Sequence, residues 1–256
     1  MRIASWNVNS AKARLDHITG YLAADKTDIL LMQEIKSQDA NFPREVFTEM
    51  GWHIAVHGQK TYNGVAIASR FPMDDITAGL PGDDTDEQAR YLEATVAGVG
   101  VATIYLPNGN PVPGPKFDYK LAWMERLYSR AMELAAREIP VVLGGDYNVI
   151  PHDIDCYDPA GWEGDALTHP ESRGAFFKLS NAGYMDALRA IHPTGAHYTY
   201  WDYQAGAWQR DNGVRIDHLL LSPEAGDRLV TVGVDKAPRG LEKPSDHTPI
   251  WCELSD

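Results

Sequence analysis

A series of short apolar runs, most of them closed by turn residues, constrains this chain more than any other feature. The runs cover residues 3–8, 29–32, 53–56, 65–69, 92–96, 101–105, 141–143, 216–221, 230–234 and 249–254. Each has strand length and is rich in Val, Ile, Leu and Ala, so the chain is expected to build sheets. None reaches the ~18 apolar residues of a membrane span, so no membrane association is expected. Helical stretches lie between the runs. Ser10 can cap a helix that carries Leu15, Ile18 and Leu22 on one face. Phe117, Leu121, Met124, Leu127, Ala131 and Leu134 follow the helical period and predict a longer helix ending before Pro140. Residues 176–181 and the stretch after Gly183 read as short helices, and segments 77–90 and 151–172 as surface loops. Strands and helices alternate early and again after residue 140. This predicts two similar halves, each a sheet with covering helices, within one domain spanning 1–256.

Composition narrows the class. With 256 residues, 44% of them apolar, the chain can bury a sizeable core, and its aromatic content excludes a disordered protein. Residues 1–7 show no leader pattern and read as a strand. Cys156 and Cys252, without CxxC spacing, predict neither a disulfide framework nor a zinc site, and a cytoplasmic address is the expectation. The net charge of −13 argues against a polyanion partner if taken alone. The acids are uneven, however. Asp74, Asp75, Asp83, Asp84, Asp86, Glu87 and Glu93 cluster against Arg90, and acids gathered around a site can bind a divalent cation that reverses the local sign.

Polar residues fall at the ends of apolar strands. Asn7 and Asn9 end the first, Gln33, Glu34 and Lys36 the second, and Tyr105 and Asn108 another; Asp146 and Asn148 end a fourth. Asp217 begins a late strand, and Asp246 and His247 precede the last. A carboxylate continuing a buried strand is costly unless paired or metal-bound. Singly, each has an ordinary explanation: Glu34 as a salt-bridge partner of Lys36, Asp146 as the cap of a turn opened by Gly144-Gly145. Together, Glu34, Asp146, Asp217 and Asp246 with Asn7, Asn148 and His247 form an oxygen-rich set suited to Mg²⁺ or Mn²⁺, with one imidazole for acid–base or electrophilic work. The other histidines call for no role. Trp201 and Trp208 lie in a polar aromatic stretch that can stack on a base or sugar, or cover a sheet edge.

These motifs together resemble the exonuclease III family of metal-dependent DNA-repair nucleases, within the endonuclease/exonuclease/phosphatase fold. The matching pieces are Ser5-Trp6-Asn7-Val8-Asn9, Gln33-Glu34-Ile35-Lys36, Tyr62-Asn63-Gly64-Val65-Ala66 and Tyr105-Leu106-Pro107-Asn108-Gly109. Gly145-Asp146-Tyr147-Asn148, Tyr198-Thr199-Tyr200-Trp201-Asp202-Tyr203, Arg215-Ile216-Asp217 and Ser245-Asp246-His247 follow in the family's order along essentially the whole chain.

The resemblance implies an α/β fold: a four-layer sandwich of two mixed β-sheets flanked by helices, with the site at one edge. It implies an enzyme acting on double-stranded DNA, with Mg²⁺ as cofactor and Mn²⁺ able to substitute; a monomer is the expectation. The implied activities are cleavage 5′ to abasic sites, 3′→5′ exonuclease and clearing of 3′-blocked ends. By position, Glu34 is the principal metal ligand with Asn7, and Asp146, Asn148 and Asp246 complete the metal set. Asn9 stands where some relatives have an Asp, which weakens a second metal position. Asp146 orients or deprotonates the attacking water, held by Asn148; Asp217 pairs with His247; and Tyr105 contacts the scissile phosphate or Asp146. Either Asp146 or His247 can be the base. Lys36, Tyr62 and Asn108 line the phosphate side, and Tyr200, Trp201, Val214 and Ile216 the sugar pocket, which Val214, a small residue for its place, leaves looser. The alternatives are a phosphoesterase of the same fold acting on a small or lipid substrate, and a non-catalytic DNA-binding module. The aromatic run at 198–203 and the turn at 105–109 stand against the first, and the complete set of acids and His against the second.

Overall fold

Side chains alternate between the two faces of a strand, and that parity sets both the layers and the position of the site. The computed structural model describes residues 1–24 and 26–256. Its strands are β1 (Arg2–Asn7), β2 (Ile29–Gln33), β3 (His53–His57), β4 (Val65–Ser69), β5 (Met73–Ala78), β6 (Tyr91–Val96), β7 (Val99–Tyr105), β8 (Val141–Asp146), β9 (Met185–Asp186), β10 (Asp217–Leu221), β11 (Leu229–Val234) and β12 (Ile250–Leu254). The α-helices are α1 (Leu15–Ala23), α2 (Arg44–Glu49), α3 (Pro115–Ala135), α4 (Pro170–Asn181), α5 (Ala187–Ile191) and α6 (Pro223–Gly226).

Two six-stranded sheets result, ordered β11-β12-β1-β2-β4-β3 and β5-β6-β7-β8-β10-β9. Each is mixed: β1 and β2 run parallel in one, β7 and β8 in the other, and the remaining pairs are antiparallel. Ile3, Ile29, Leu31 and Ile67 of the first sheet meet Leu92, Val101, Val142 and Leu219 of the second in the central layer. On the outside of the first sheet, Ile18 and Leu22 of α1 and Phe47 of α2 cover Ala4, Trp6, Leu30 and Met32. On the outside of the second, Trp123, Met124 and Leu127 of α3 and Phe176 and Leu179 of α4 cover Ala102, Ile104, Leu143 and Leu220. This is the four-layer sandwich expected from the sequence. Each large side chain fully buried in these layers contributes about 1.5–3 kcal/mol.

The central layer turns polar at one end. Following the inner parity, Ile3 leads to Ser5 and Asn7, Leu31 to Gln33, Val101 to Thr103 and Tyr105, Val142 to Gly144 and Asp146, and Leu219 back to Asp217. Gln33 Nε2 donates to Ser5 Oγ at 3.0 Å and to Thr103 Oγ1 at 2.9 Å, joining the two sheets beneath that end. The sheets approach closely at Gly144, where a Cβ would lie 2.6 Å from Leu31 Cδ1 and 2.8 Å from Leu219 Cδ2.

Several elements differ from expectation. α1 starts at Leu15 with Arg14 at its N-cap; Ser10 instead stabilises a preceding turn, its Oγ accepting from Ala13 N at 3.3 Å. α2 forms where no helix is expected, and α4 begins at Pro170 rather than at 176. The stretch after Gly183 supplies the edge strand β9 before α5. β5 enters the acidic segment as an edge strand whose Asp74 and Asp75 face solvent, a placement where charge disfavours further strand pairing.

Candidate active site

The polar end of the central layer opens into a cavity of about 310 Å³. Glu34, Tyr105, Asp146, Asn148, Asp246 and His247 line one side; Asn108, Asn110, Trp162, Asp165, Leu167, Tyr200 and Ile216 complete the wall. Strand pairing places two of these and a buried neighbour: Tyr105 lies in register with Asp146, and Asp146 with Asp217, which is buried beneath the wall. Glu34, Lys36, Asn9 and Asn148 all have φ between +46° and +49°, a left-handed backbone that L-residues adopt at a cost. Each sits just beyond a strand end, where the sharp turn aims the side chain back over the central layer.

Asn7 joins the two sheets, its Nδ2 donating to Glu34 Oε1 and to Asp146 Oδ2, both at 2.9 Å. Lys36 Nζ lies 3.0 Å from Glu34 Oε2, so the ordinary salt-bridge explanation of Glu34 holds alongside its place in the cluster. Lys36 also donates to Asn9 Oδ1 at 2.5 Å, and Asn9 Nδ2 donates to Asp246 Oδ1 at 3.0 Å. Asp146 Oδ1 accepts from Asn148 N at 2.9 Å, and Asn148 Nδ2 donates to Leu106 O at 2.9 Å.

His247 is wedged between two carboxylates. Its Nδ1 is 2.8 Å from Asp217 Oδ2, and its Nε2 is 3.8 Å from Asp146 Oδ2. Burial alone would favour the neutral ring, but Asp217 and then Asp146 outweigh it and hold the imidazole charged well above its usual range. Asp217 Oδ1 is buried without a hydrogen-bond partner, so the imidazolium is the carboxylate's main compensation. Burial, reinforced by Asp217 and Glu34, pushes Asp146 above the usual carboxylate range against the pull of His247 and Asn7. Burial also raises Glu34, but the Asn7 hydrogen bond, Lys36 and His247 prevail and lower it. Burial, with Glu34 and Asp146 adding to it, keeps the Tyr105 hydroxyl protonated.

The donor set fits a hard divalent cation. Glu34, Asp146, Asp217 and Asp246 gather four carboxylates about His247 and Lys36, and the carboxylates and side-chain amides at this end offer oxygen to a metal. Asp146, Asp217 and His247 also bring potential ligand atoms within 4.8 Å of one another. The imidazole is not a fit ligand, because each ring nitrogen faces a carboxylate and the ring is held protonated. The fit therefore rests on Glu34 and Asp146, with Asn7, Asn148 and Asp246 around them.

The sugar-pocket set divides. Tyr200 and Ile216 line the cavity, and the Tyr200 ring meets His247 edge-on at 5.0 Å between centroids. Val214 is buried behind them and lines a neighbouring groove. Trp201 is a correction. It is 0% exposed, packs with Tyr198, Ala207 and Trp208, donates Nε1 to Asp211 Oδ1 at 3.0 Å, and so lies off the cavity wall. Adjacent residues of an extended segment point to opposite sides, and Tyr200 takes the side facing the cavity. Tyr62 is 69% exposed beyond the cavity wall. Sequence reasoning missed Trp162, Asp165 and Leu167, because segment 151–172 reads only as a loop. Its lone Trp between glycines was the available signal. Trp162 and Leu167 stand in the wall beside Tyr200 and Ile216.

The chain matches the model of the Endonuclease/Exonuclease/phosphatase family over residues 4–247. It is 31% identical to the exodeoxyribonuclease III of Haemophilus influenzae over 99% of this chain and 100% of that protein. Among solved structures it is similar to a 3′ phosphatase from Neisseria bound to product DNA hairpin, at 42% identity and a TM-score of 0.98, covering 100% of both chains. It is also similar to an AP endonuclease from Archaeoglobus fulgidus, at 38% identity and a TM-score of 0.96, again covering 100% of both chains. With its two sheets meeting in one acidic cavity beside a charged imidazole, the chain belongs to the endonuclease/exonuclease/phosphatase family, in the branch of exodeoxyribonuclease III and the AP endonucleases.

Proposed function

We propose that this chain is a divalent-cation-dependent DNA-repair nuclease that hydrolyses phosphoesters at 3′ ends and at abasic sites of duplex DNA. The observation that carries this reading is the linked series Asp217–His247–Asp146–Asn7–Glu34, drawn from both sheets, with His247, Asp146 and Glu34 on the cavity wall. Hydrolysis of a phosphoester needs charge neutralised on the phosphate and a water aimed in line with the leaving oxygen. Glu34 and Asp146, with Asn7, Asn148 and Asp246, would hold the cation, Mg²⁺ in this reading, which when bound neutralises phosphate charge.

The protein groups divide the remaining work. His247 has its Nδ1 engaged by Asp217 and stays protonated, so it donates from Nε2 to a phosphate oxygen rather than taking a proton from water. Asp146 is the carboxylate placed to take the water's proton: Asn148 N fixes the oxygen opposite the one nearest His247, and His247, itself protonated, cannot serve as base. Asn7 aligns Glu34 with Asp146 across the sheets. Tyr105 and Asn108 flank the phosphate, and Tyr200, Ile216, Trp162 and Leu167 enclose the sugar. Mutual burial of both sheets supports one domain over 1–256. The buried free thiols of Cys156 and Cys252 suit a reducing cytoplasm, and a monomer suffices because the cavity is built from one chain.

The test uses four substrates: a 3′-phosphorylated duplex, an abasic duplex, an undamaged duplex and an inositol phosphate, each with Mg²⁺ and with EDTA. Phosphate release or strand cleavage on DNA with Mg²⁺ alone is expected. Turnover confined to the inositol phosphate would transfer the site to a small-molecule phosphoesterase, and no turnover on any substrate would leave a binding module.

A further inference from the structure

One buried charge beside the cavity is not used by the reaction as described. Lys120 lies on α3 and is fully buried. Its Nζ donates to Asn108 O at 3.0 Å and to Asn148 O at 2.6 Å. These carbonyls belong to two different turns, one following β7 and carrying Asn108, the other following β8, just beyond Asp146, and carrying Asn148. The turns also meet through Asn108 Nδ2 and Asn148 Oδ1 at 3.2 Å. The first turn is shaped around the lysine stem: Gly109 has φ +95°, and a Cβ there would lie 2.6 Å from Lys120 Cδ. A buried ammonium is costly even when hydrogen-bonded, and an apolar side chain at this helix position would avoid that cost.

We infer that Lys120 is a positioning residue: by gripping both carbonyls it sets the two turns in one register, so that Asn148 N holds Asp146 in aim at the reacting phosphate. Lys120 does not touch the substrate and acts through Asn148. The inference rests on the nuclease reading above. Displacing a group by about 1 Å from the reacting geometry costs as much as ~10²-fold in rate.

Phosphate release from a 3′-phosphorylated duplex with Mg²⁺ is measured for wild type, Lys120→Met, Lys120→Arg, Asn108→Ala and the double variant Lys120→Met with Asn108→Ala, each below its melting temperature. Lys120→Met is expected to lower kcat ~10–10²-fold with little change in KM, the signature of lost transition-state alignment. Lys120→Arg, which keeps charge and donors, is expected to recover most of that loss. The double variant is expected to lose less than the product of its two single losses, because both changes loosen the same pair of turns. Wild-type kcat in Lys120→Met, a loss in KM alone, or strictly multiplicative losses would overturn the inference. Should Lys120→Met not fold, Lys120→Gln, which keeps a donor for one carbonyl, takes its place, with an intermediate kcat expected and wild-type kcat overturning the inference. A wild type inactive on the 3′-phosphorylated duplex defeats the nuclease reading instead, and an active wild type beside an unaffected variant defeats only the role of Lys120.

Discussion

Two buried polar networks meet at the start of β10, and they are built on opposite electrostatic principles. Asp217 faces the central layer and joins His247, Asp146 and Glu34. Arg215 and His218 belong to the other network. Arg215 grips Asp155 through Nε at 2.7 Å and Nη2 at 3.0 Å, and Asp186 through Nη1 at 2.8 Å. Arg189 also pairs with Asp155. His218 accepts from Arg215 at Nδ1 and donates from Nε2 to Val149 O at 2.9 Å. Two guanidiniums balance two carboxylates there, and the structure is closed. Around Asp217 the carboxylates exceed their cationic partners, and the cluster opens into a cavity. A balanced network ties a loop to a strand; an unbalanced one of the same residue types is prepared for a cation and a phosphate. The comparison separates stability from chemistry and can be broken in four ways.

Arg215→Met should strip the closed network of its central charge and leave Asp155 and Asp186 buried and underpaired. A loss of about 3–5 kcal/mol is expected in urea unfolding. A variant as stable as wild type would show that the two networks do not differ in this way. Asp146→Asn and His247→Asn should do the reverse, each losing ~10²–10³ in kcat while circular dichroism and melting stay near wild type. Near-normal turnover by either would remove that residue from the mechanism.

The third test is pH. Burial, and then Arg215, depress His218 from 6.5 to about 4, so the unfolded chain takes up its proton first. The stability from its neutral form is complete above pH 6.5 and is lost as pH falls toward 4, by about 1–3 kcal/mol. Asp155, which burial would raise but Arg215 and Arg189 bring down to about 2, adds a further loss between 3.8 and 2. The urea midpoint of wild type relative to that of His218→Gln should therefore fall between pH 7 and pH 5, a comparison in which the other titrating groups cancel. Smallest is the effect of metal alone. Mg²⁺ at ten times its Kd should stabilise the wild type by about 1.4 kcal/mol, seen as a raised melting temperature that EDTA reverses. Glu34→Gln should weaken this shift, and Arg215→Met should keep it; the opposite pattern would put the cation elsewhere.

Much of this was legible from residue order. The apolar runs locate β1–β4, β6–β8 and β10–β12 to within a few residues, and the polar residues at their ends stand out in the same reading. Less legible were the elements held by partners rather than by their own pattern. β5 is charged and β9 has only two residues, so neither carries a strand signal of its own. Trp201 and Tyr200 are neighbours of similar aromatic character, and only packing against Trp208 and the Asp211 hydrogen bond put one inside and the other on the cavity wall. His218 looked idle because its partners, Arg215 apart, lie far along the chain.

What the residue order determined by itself was local: which faces of each strand are apolar, where each strand stops, and which oxygen-bearing side chains stand at those stops. What the tertiary structure alone decided was pairing: Asn7 with both Glu34 and Asp146, Asp155 with Arg215, and Lys120 with two carbonyls. A period of two follows from the geometry of one strand. A charge's partner depends on which distant segments burial brings within hydrogen-bond reach, and no local pattern records that.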